Sequence, residues 1–136
     1  MICELCEGVG GALLWKDAFC RVVRIEDADY PGFCRVIWSN HVREMSDLSD
    51  VDQQHLMRVV LSVEKAVRHV LLPHKVNLAS LGNVTPHLHW HIIPRFDNDR
   101  HFPGPIWATP IRGSTPRQLP EGWQETLRGA LVKFCG

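Results

Sequence analysis

The sequence predicts an α+β domain: an antiparallel sheet of about five strands packed on one long helix, with a short helix near the C-terminal end. Three observations predict it. Short β-branched, partly alternating segments lie on both sides of the chain's middle. A single long segment between them repeats apolar residues at helical spacing and stops at Pro73. The resulting order is several strands, a helix, two strands and a loop-rich tail. The length of 136 residues, 45% of them hydrophobic, suits one domain over 1–136 with a core of its own.

Residues 1–11 carry Cys3-x-x-Cys6 followed by Gly8, Gly10 and Gly11, a knuckle leading into a strand near 12–16. FCRVVRI at 19–25 is the second strand. EDADYPG at 26–32 is an acidic turn with a Pro-Gly stop, and FCRVIWS at 33–39 is the third strand. Ser49-Asp50-Val51-Asp52 forms a capping box that opens the helix, with Ser46 as an alternative start. Leu56, Val59, Val60, Val63, Val67, Val70 and Leu71 share one side of it. Gln53, Gln54, Arg58, Glu64, Lys65 and Arg68 fill the other. Strands at 75–81 and 87–93 follow, joined by Gly82-Asn83-Val84-Thr85-Pro86. Five of the nine prolines fall in 97–120, which is read as a loop, and 122–134 as a short helix.

Lys+Arg and Asp+Glu number 15 each, so the chain offers no electrostatic footprint for duplex nucleic acid or an anionic membrane. No stretch is apolar for long enough to span a bilayer. The start is acidic and lacks a basic region followed by an apolar run, so a cytoplasmic protein is expected. There, five cysteines point to thiols or metal ligands rather than a disulfide framework. Cys20 and Cys34 are expected as buried apolar residues and Cys135 as incidental. His55, His69, His74 and His101 are expected in surface or packing roles.

The chemistry concentrates in His87-Leu88-His89-Trp90-His91. Side chains alternate along a strand, so the three imidazoles share one face, about 6.5–7 Å apart, while Leu88, Trp90 and Ile92 share the other. Two readings of such a row compete. As metal ligands the histidines need a completing carboxylate or a further His, and Asp97 and Asp99 follow the strand directly. As nucleophiles, a neutral imidazole attacks phosphorus and its neighbours hold the phosphate charge. Cys3-x-x-Cys6 by itself is open between redox chemistry, metal binding and free thiols, although redox motifs usually sit at a helix start after a strand.

His87-Leu88-His89-Trp90-His91-Ile92-Ile93, with Pro94-Arg95-Phe96 after it, resembles the signature of the histidine-triad (HIT) superfamily. The element order, Cys3-x-x-Cys6, His41 and Trp107 also resemble its nucleotide-binding branch. The resemblance implies a nucleotide-binding hydrolase or nucleotidyl transferase acting on the α-phosphate of a nucleoside phosphoramidate or dinucleoside polyphosphate. His89 would be the nucleophile, His91 the phosphate donor, and the His87 carbonyl the group that orients His89. Asn77, Asn83 and Thr85 would lie on the phosphate side, Asp27 or Asp29 at the ribose, and Trp107 over the nucleotide. Similarity to a zinc-carrying subset implies a structural Zn²⁺ held by Cys3, Cys6, His41 and His87. A purine nucleotide partner and a homodimer are implied as well. The lead-in departs from the usual Gly-Gln-x-Val type: Asn83 replaces Gln, and Pro86 removes a backbone donor. That departure leaves open a weakly catalytic, nucleotide-binding regulator, and a metal-dependent hydrolase remains a third reading.

Overall fold

A computed structural model describes residues 2–114 and 117–136. One helical turn, α1 (Glu4–Glu7), takes the place of the expected N-terminal knuckle. Strands β1 (Ala12–Lys16), β2 (Cys20–Arg24) and β3 (Cys34–Trp38) follow as a meander. Helix α2 (Asp50–Leu71), edge strand β4 (Lys75–Ala79), strand β5 (His89–Arg95) and helix α3 (Trp123–Cys135) complete the order. The five strands are antiparallel in the order β1-β2-β3-β5-β4, so β5 is inserted between β3 and β4 and has a neighbour on each side.

Helix α2 begins where its capping sequence predicts. Ser49 is the N-cap, and its side chain accepts a hydrogen bond from the Asp52 backbone N–H. It ends on Leu72, whose φ of 51° is left-handed and turns the chain into Pro73. Leu56, Val59, Val60, Val63 and Val67 are fully buried on one stripe, facing Val22, Val36, Leu88 and Ile92 of the sheet side. Leu127 and Leu131 of α3 close the same core, and Trp15, Trp38 and Trp123 pack into or against it. Cys20 and Cys34 are buried there or beside it as expected. Cys135 is also buried, at 3% exposure, because α3 turns its last residues into the core.

The turn at 26–32 brings β3 back beside β2 and passes close to α2 at Gly32. Its φ is +92°, and a Cβ there would lie 2.4 Å from Leu71 Cδ1. The opposite face of the sheet carries two smaller clusters, Leu5–Val23–Ile37 and Tyr30–Phe33–Ile93. The histidines lie between them. Among the described residues no helix is long and apolar enough to cross a membrane.

Candidate active site and metal cluster

β5 starts at His89, two residues later than the alternation alone predicts. His87 and Leu88 form the approach to the strand. Leu88 N–H donates to Val42 C=O and Trp38 N–H to Leu88 C=O, so the approach is tied to the segment after β3. The alternation survives: Leu88 and Ile92 are in the helix-side core with Trp90 packed against it, and the imidazoles point the other way.

The three histidines have different environments. His87 is fully buried, and its Nε2–H donates to Trp38 C=O at 2.6 Å. That bond leaves Nδ1 as the lone-pair nitrogen. Nδ1 faces Cys3 Sγ at 3.4 Å, Cys6 Sγ at 3.5 Å and His41 Nδ1 at 3.2 Å, and Cys6 Sγ is 3.4 Å from His41 Nδ1. The four donor atoms lie within 4.8 Å of one another. A tetrahedral zinc with ordinary bond lengths spaces its ligands about 3.3 Å (N to N), about 3.6 Å (N to S) and about 3.8 Å (S to S) apart. The cluster therefore has the size, ligand chemistry and fixed tautomer that zinc requires. Its pieces converge because α1 folds back over the sheet, where Leu5 packs on Val23 and Ile37, and Arg21 donates to the carbonyls of Leu5, Gly8 and Val9.

His89 Nδ1–H donates to the His87 carbonyl at 2.6 Å, which leaves Nε2 as the lone-pair nitrogen. Burial first, and the nearby Arg35 charge, hold its pKa below the ordinary value, so the ring is a neutral nucleophile or base near pH 7. His91 stands edge-on to His89, with ring centroids 4.9 Å apart. It is 3% exposed, its Nδ1 is buried without a partner, and Phe33 and Trp107 flank its ring at 5.7 and 5.1 Å. Burial, then the His89 and Arg35 charges, push its pKa down to about 3. The pair thus presents a free Nε2 lone pair on a neutral His89 ring next to the His91 ring, a combination suited to attack on a phosphorus centre.

Asn77 pairs with Ile93 across β4 and β5, on the histidine face. Its Oδ1 accepts from Arg95 Nη1 at 2.7 Å, which leaves its amide NH₂ as the unused end. Arg95 is 2% exposed and is clamped by both Asp99 oxygens and by the Gly104 carbonyl. Asp99 also accepts three backbone N–H bonds, from Phe96, His101 and Phe102, and its pKa falls to about 2 although burial opposes this. It is fully engaged and is no free metal ligand, while Asp97 is exposed. Tyr30 joins the network through Asp99 and His101.

The remaining candidates scatter. Trp107 is half exposed beside His91. Thr85 donates to Glu4 Oε1 and ties the 82–86 loop to α1, whereas Asn83 is exposed. Asp29 is held by Arg100 and Ser114, and Asp27 accepts from the Asp29 backbone N–H within its own turn. Two groups escaped sequence reasoning. The Arg95–Asp99 pair had a signal, an Arg four residues before an Asp just past the strand. Arg35 had only a faint one, a charge inside an otherwise apolar strand. Pairing brings it opposite His91.

The HIT domain family profile matches residues 10–98. An AP-4-A phosphorylase of Mycobacterium tuberculosis is 30% identical over 104 residues, 72% of this chain and 50% of the relative. The chain thus spans about half the length of the curated relatives it matches. A histidine triad protein from Bradyrhizobium japonicum superposes with a TM-score of 0.75 at 27% identity, covering 100% of this chain and 97% of that one. A Zn-bound histidine triad family protein from Mycobacterium smegmatis shares the fold, with a TM-score of 0.67 at 19% identity over 96% of this chain and 94% of that one.

Proposed function

This chain belongs to the HIT domain family, and from that membership we propose that it is a nucleotide-processing enzyme which hydrolyses or transfers a nucleoside monophosphoryl group through a covalent bond to His89. The observation that carries this reading is the short bond from His89 Nδ1–H to the His87 carbonyl, which leaves the Nε2 lone pair free on a ring that stands edge-on to His91. His89 Nε2 attacks the α-phosphorus of a nucleoside phosphoramidate or dinucleoside polyphosphate. The P–N bond to His89 forms as the bond to the leaving group breaks, and the leaving group departs with the electron pair and takes up a proton from solvent. The positive charge on the His89 ring is stabilised by the His87 carbonyl. His91 and the Asn77 amide hold the phosphate oxygens. Water then attacks phosphorus, the P–N bond returns its electrons to Nε2, and the nucleoside monophosphate leaves as the water's proton passes to solvent. A purine nucleotide is the expected substrate, with Trp107 against it, Asn83 and Thr85 near the phosphates, and Asp27 or Asp29 toward the ribose. The relative named AP-4-A phosphorylase supports this substrate class.

Incubation with adenosine phosphoramidate or a dinucleoside polyphosphate labelled on the α-phosphate should leave label on the protein, and His89→Ala should carry none. Undiminished turnover by a folded His89→Ala protein refutes the reading. We assign His87 a different task, as the fourth ligand of a structural zinc with Cys3, Cys6 and His41. Its geometric fit supports this, and about one zinc per chain is expected in protein prepared without chelator. Zinc there would staple the N-terminal turn to the sheet. A homodimer belongs to the same reading, supported by the unpaired edge of β4 with its exposed Leu78. Light scattering at micromolar concentration tests it.

The exposed Asn83 and the Thr85–Glu4 tie favour a second reading, a nucleotide-binding regulator with little turnover. Tight AMP binding without product over long incubation would select it. A metal-dependent hydrolase finds less support, since the four-donor cluster takes only His87 of the three histidines and Asp99 is committed to Arg95.

A further inference from the structure

Arg35 stands in the middle of β3, between Val23 of β2 and His91 of β5. Directly paired residues share a face, so the guanidinium rises from the same surface as His89 and His91. It is partly buried, and its Nε lies buried with no hydrogen-bond partner. Among the described residues it forms no ion pair. The Glu4 charge acts on it from nearby, but the Glu4 carboxylate is bound by Thr85. Burial lowers the Arg35 pKa, and the Arg35 charge in turn helps depress those of His89 and His91.

A partly buried guanidinium whose nearby counter-charge, Glu4, is engaged by Thr85 is costly, and an apolar residue at this point of a central strand would be the stable choice. Its neighbour His91 also keeps a buried nitrogen unsatisfied. One cationic and one neutral, these two side chains are paired across β3 and β5 on one face of the sheet, a setting that suits an anion with several acceptor oxygens. A phosphoryl group has that chemistry, and the planar fork of Arg matches it two oxygens at a time.

We propose that Arg35 is a substrate-binding residue that pairs with the phosphoryl group held at His89 and His91, so that this site selects for anionic phosphorus esters. The proposal rests on the phosphoryl-transfer reading above for the ligand's identity. It adds a residue supplied from β3, outside the histidine strand.

The test uses the full chain and its Arg35→Met and Arg35→Lys variants, with AMP, adenosine and pyrophosphate as probes in titration calorimetry. Arg35→Met should bind AMP and pyrophosphate roughly 10- to 100-fold more weakly, the range expected for charge-assisted hydrogen bonds. Adenosine affinity should not change, and Arg35→Lys should recover part of the loss. The ligand-free Tm of Arg35→Met should be equal to or higher than that of the unsubstituted protein, since an unpaired charge has been removed. AMP affinity within threefold of the unsubstituted protein overturns the proposal. So does a parallel loss of AMP and adenosine with a lowered Tm, which marks Arg35 as structural. Failure of the unsubstituted protein to bind either AMP or pyrophosphate overturns it too. The two readings fail separately: label on His89 with undiminished AMP affinity in Arg35→Met defeats only this inference. Lost AMP affinity in a protein never labelled defeats only the covalent route.

Discussion

The two faces of β5 are built to opposite rules. On one, Leu88 and Ile92 meet α2 in a core of fully buried aliphatic residues, with Trp90 packed against it and its Nε1–H directed to Met45 Sδ. On the other, His89, His91 and Arg35 are buried or partly buried, yet a His91 nitrogen and Arg35 Nε have no partner. The first face places the second: a strand held on one side by packing can carry groups on the other that cost stability. Within the second face there is a gradient. Its two ends are satisfied, His87 by the Cys3–Cys6–His41 cluster and Arg95 by Asp99, Asn77 and Gly104. Between these two ends lie the His91 and Arg35 nitrogens that have no partner among the described residues.

Paired substitutions give the largest test of this contrast. His89→Ala should lower turnover by at least about 10³-fold, the scale seen when a nucleophile is removed, and shift the Tm little. Ile92→Ala, on the reverse face, should destabilise by about 2–4 kcal/mol in denaturant titration, with turnover per folded molecule much less affected. A large stability loss in both would erase the distinction between the faces. Asn77→Ala sharpens the gradient. It leaves a buried Arg95 N–H unsatisfied and should cost about 1–3 kcal/mol, although Asn77 lies on the histidine face. An Asn77→Ala protein as stable as its parent would place the boundary of the satisfied network elsewhere.

Acid provides a smaller test. The His91 pKa falls to about 3 in the folded chain, against an ordinary value of 6.5, under burial and the facing charges of His89 and Arg35. Between these values the unfolded chain binds the extra proton, so this contribution to stability is complete above pH 6.5 and declines as pH falls toward 3. The slope is at most about 1.4 kcal/mol per pH unit. His91→Gln should flatten the pH dependence of urea midpoints over that window. An unchanged slope would mean that His91 is solvated enough to protonate in the folded state.

Much of this was legible in the residues. The α+β class, the capped helix from Ser49, its stop at Pro73 and the dry face of Leu88, Trp90 and Ile92 follow from periods of 3.6 and 2, which are local properties of the chain. The histidine row was legible for the same reason. Strand ends were less so: β5 begins at His89, because the backbone groups of Leu88 bond to Val42 and Trp38, and sequence carries no mark of those pairings. Cys135 read as incidental and is buried, since only the docking of α3 decides its surroundings.

By itself the sequence determined which residue types could do chemistry and which would face away from the core. Alternation and amphipathic spacing are short-range consequences of backbone geometry. Only the tertiary structure decided which of those groups meet. The insertion of β5 between β3 and β4 puts Arg35 opposite His91, and the return of α1 over the sheet puts Cys3 and Cys6 at His87. These contacts join residues far apart in the chain, so they depend on strand order and register, which the packing of the whole domain selects.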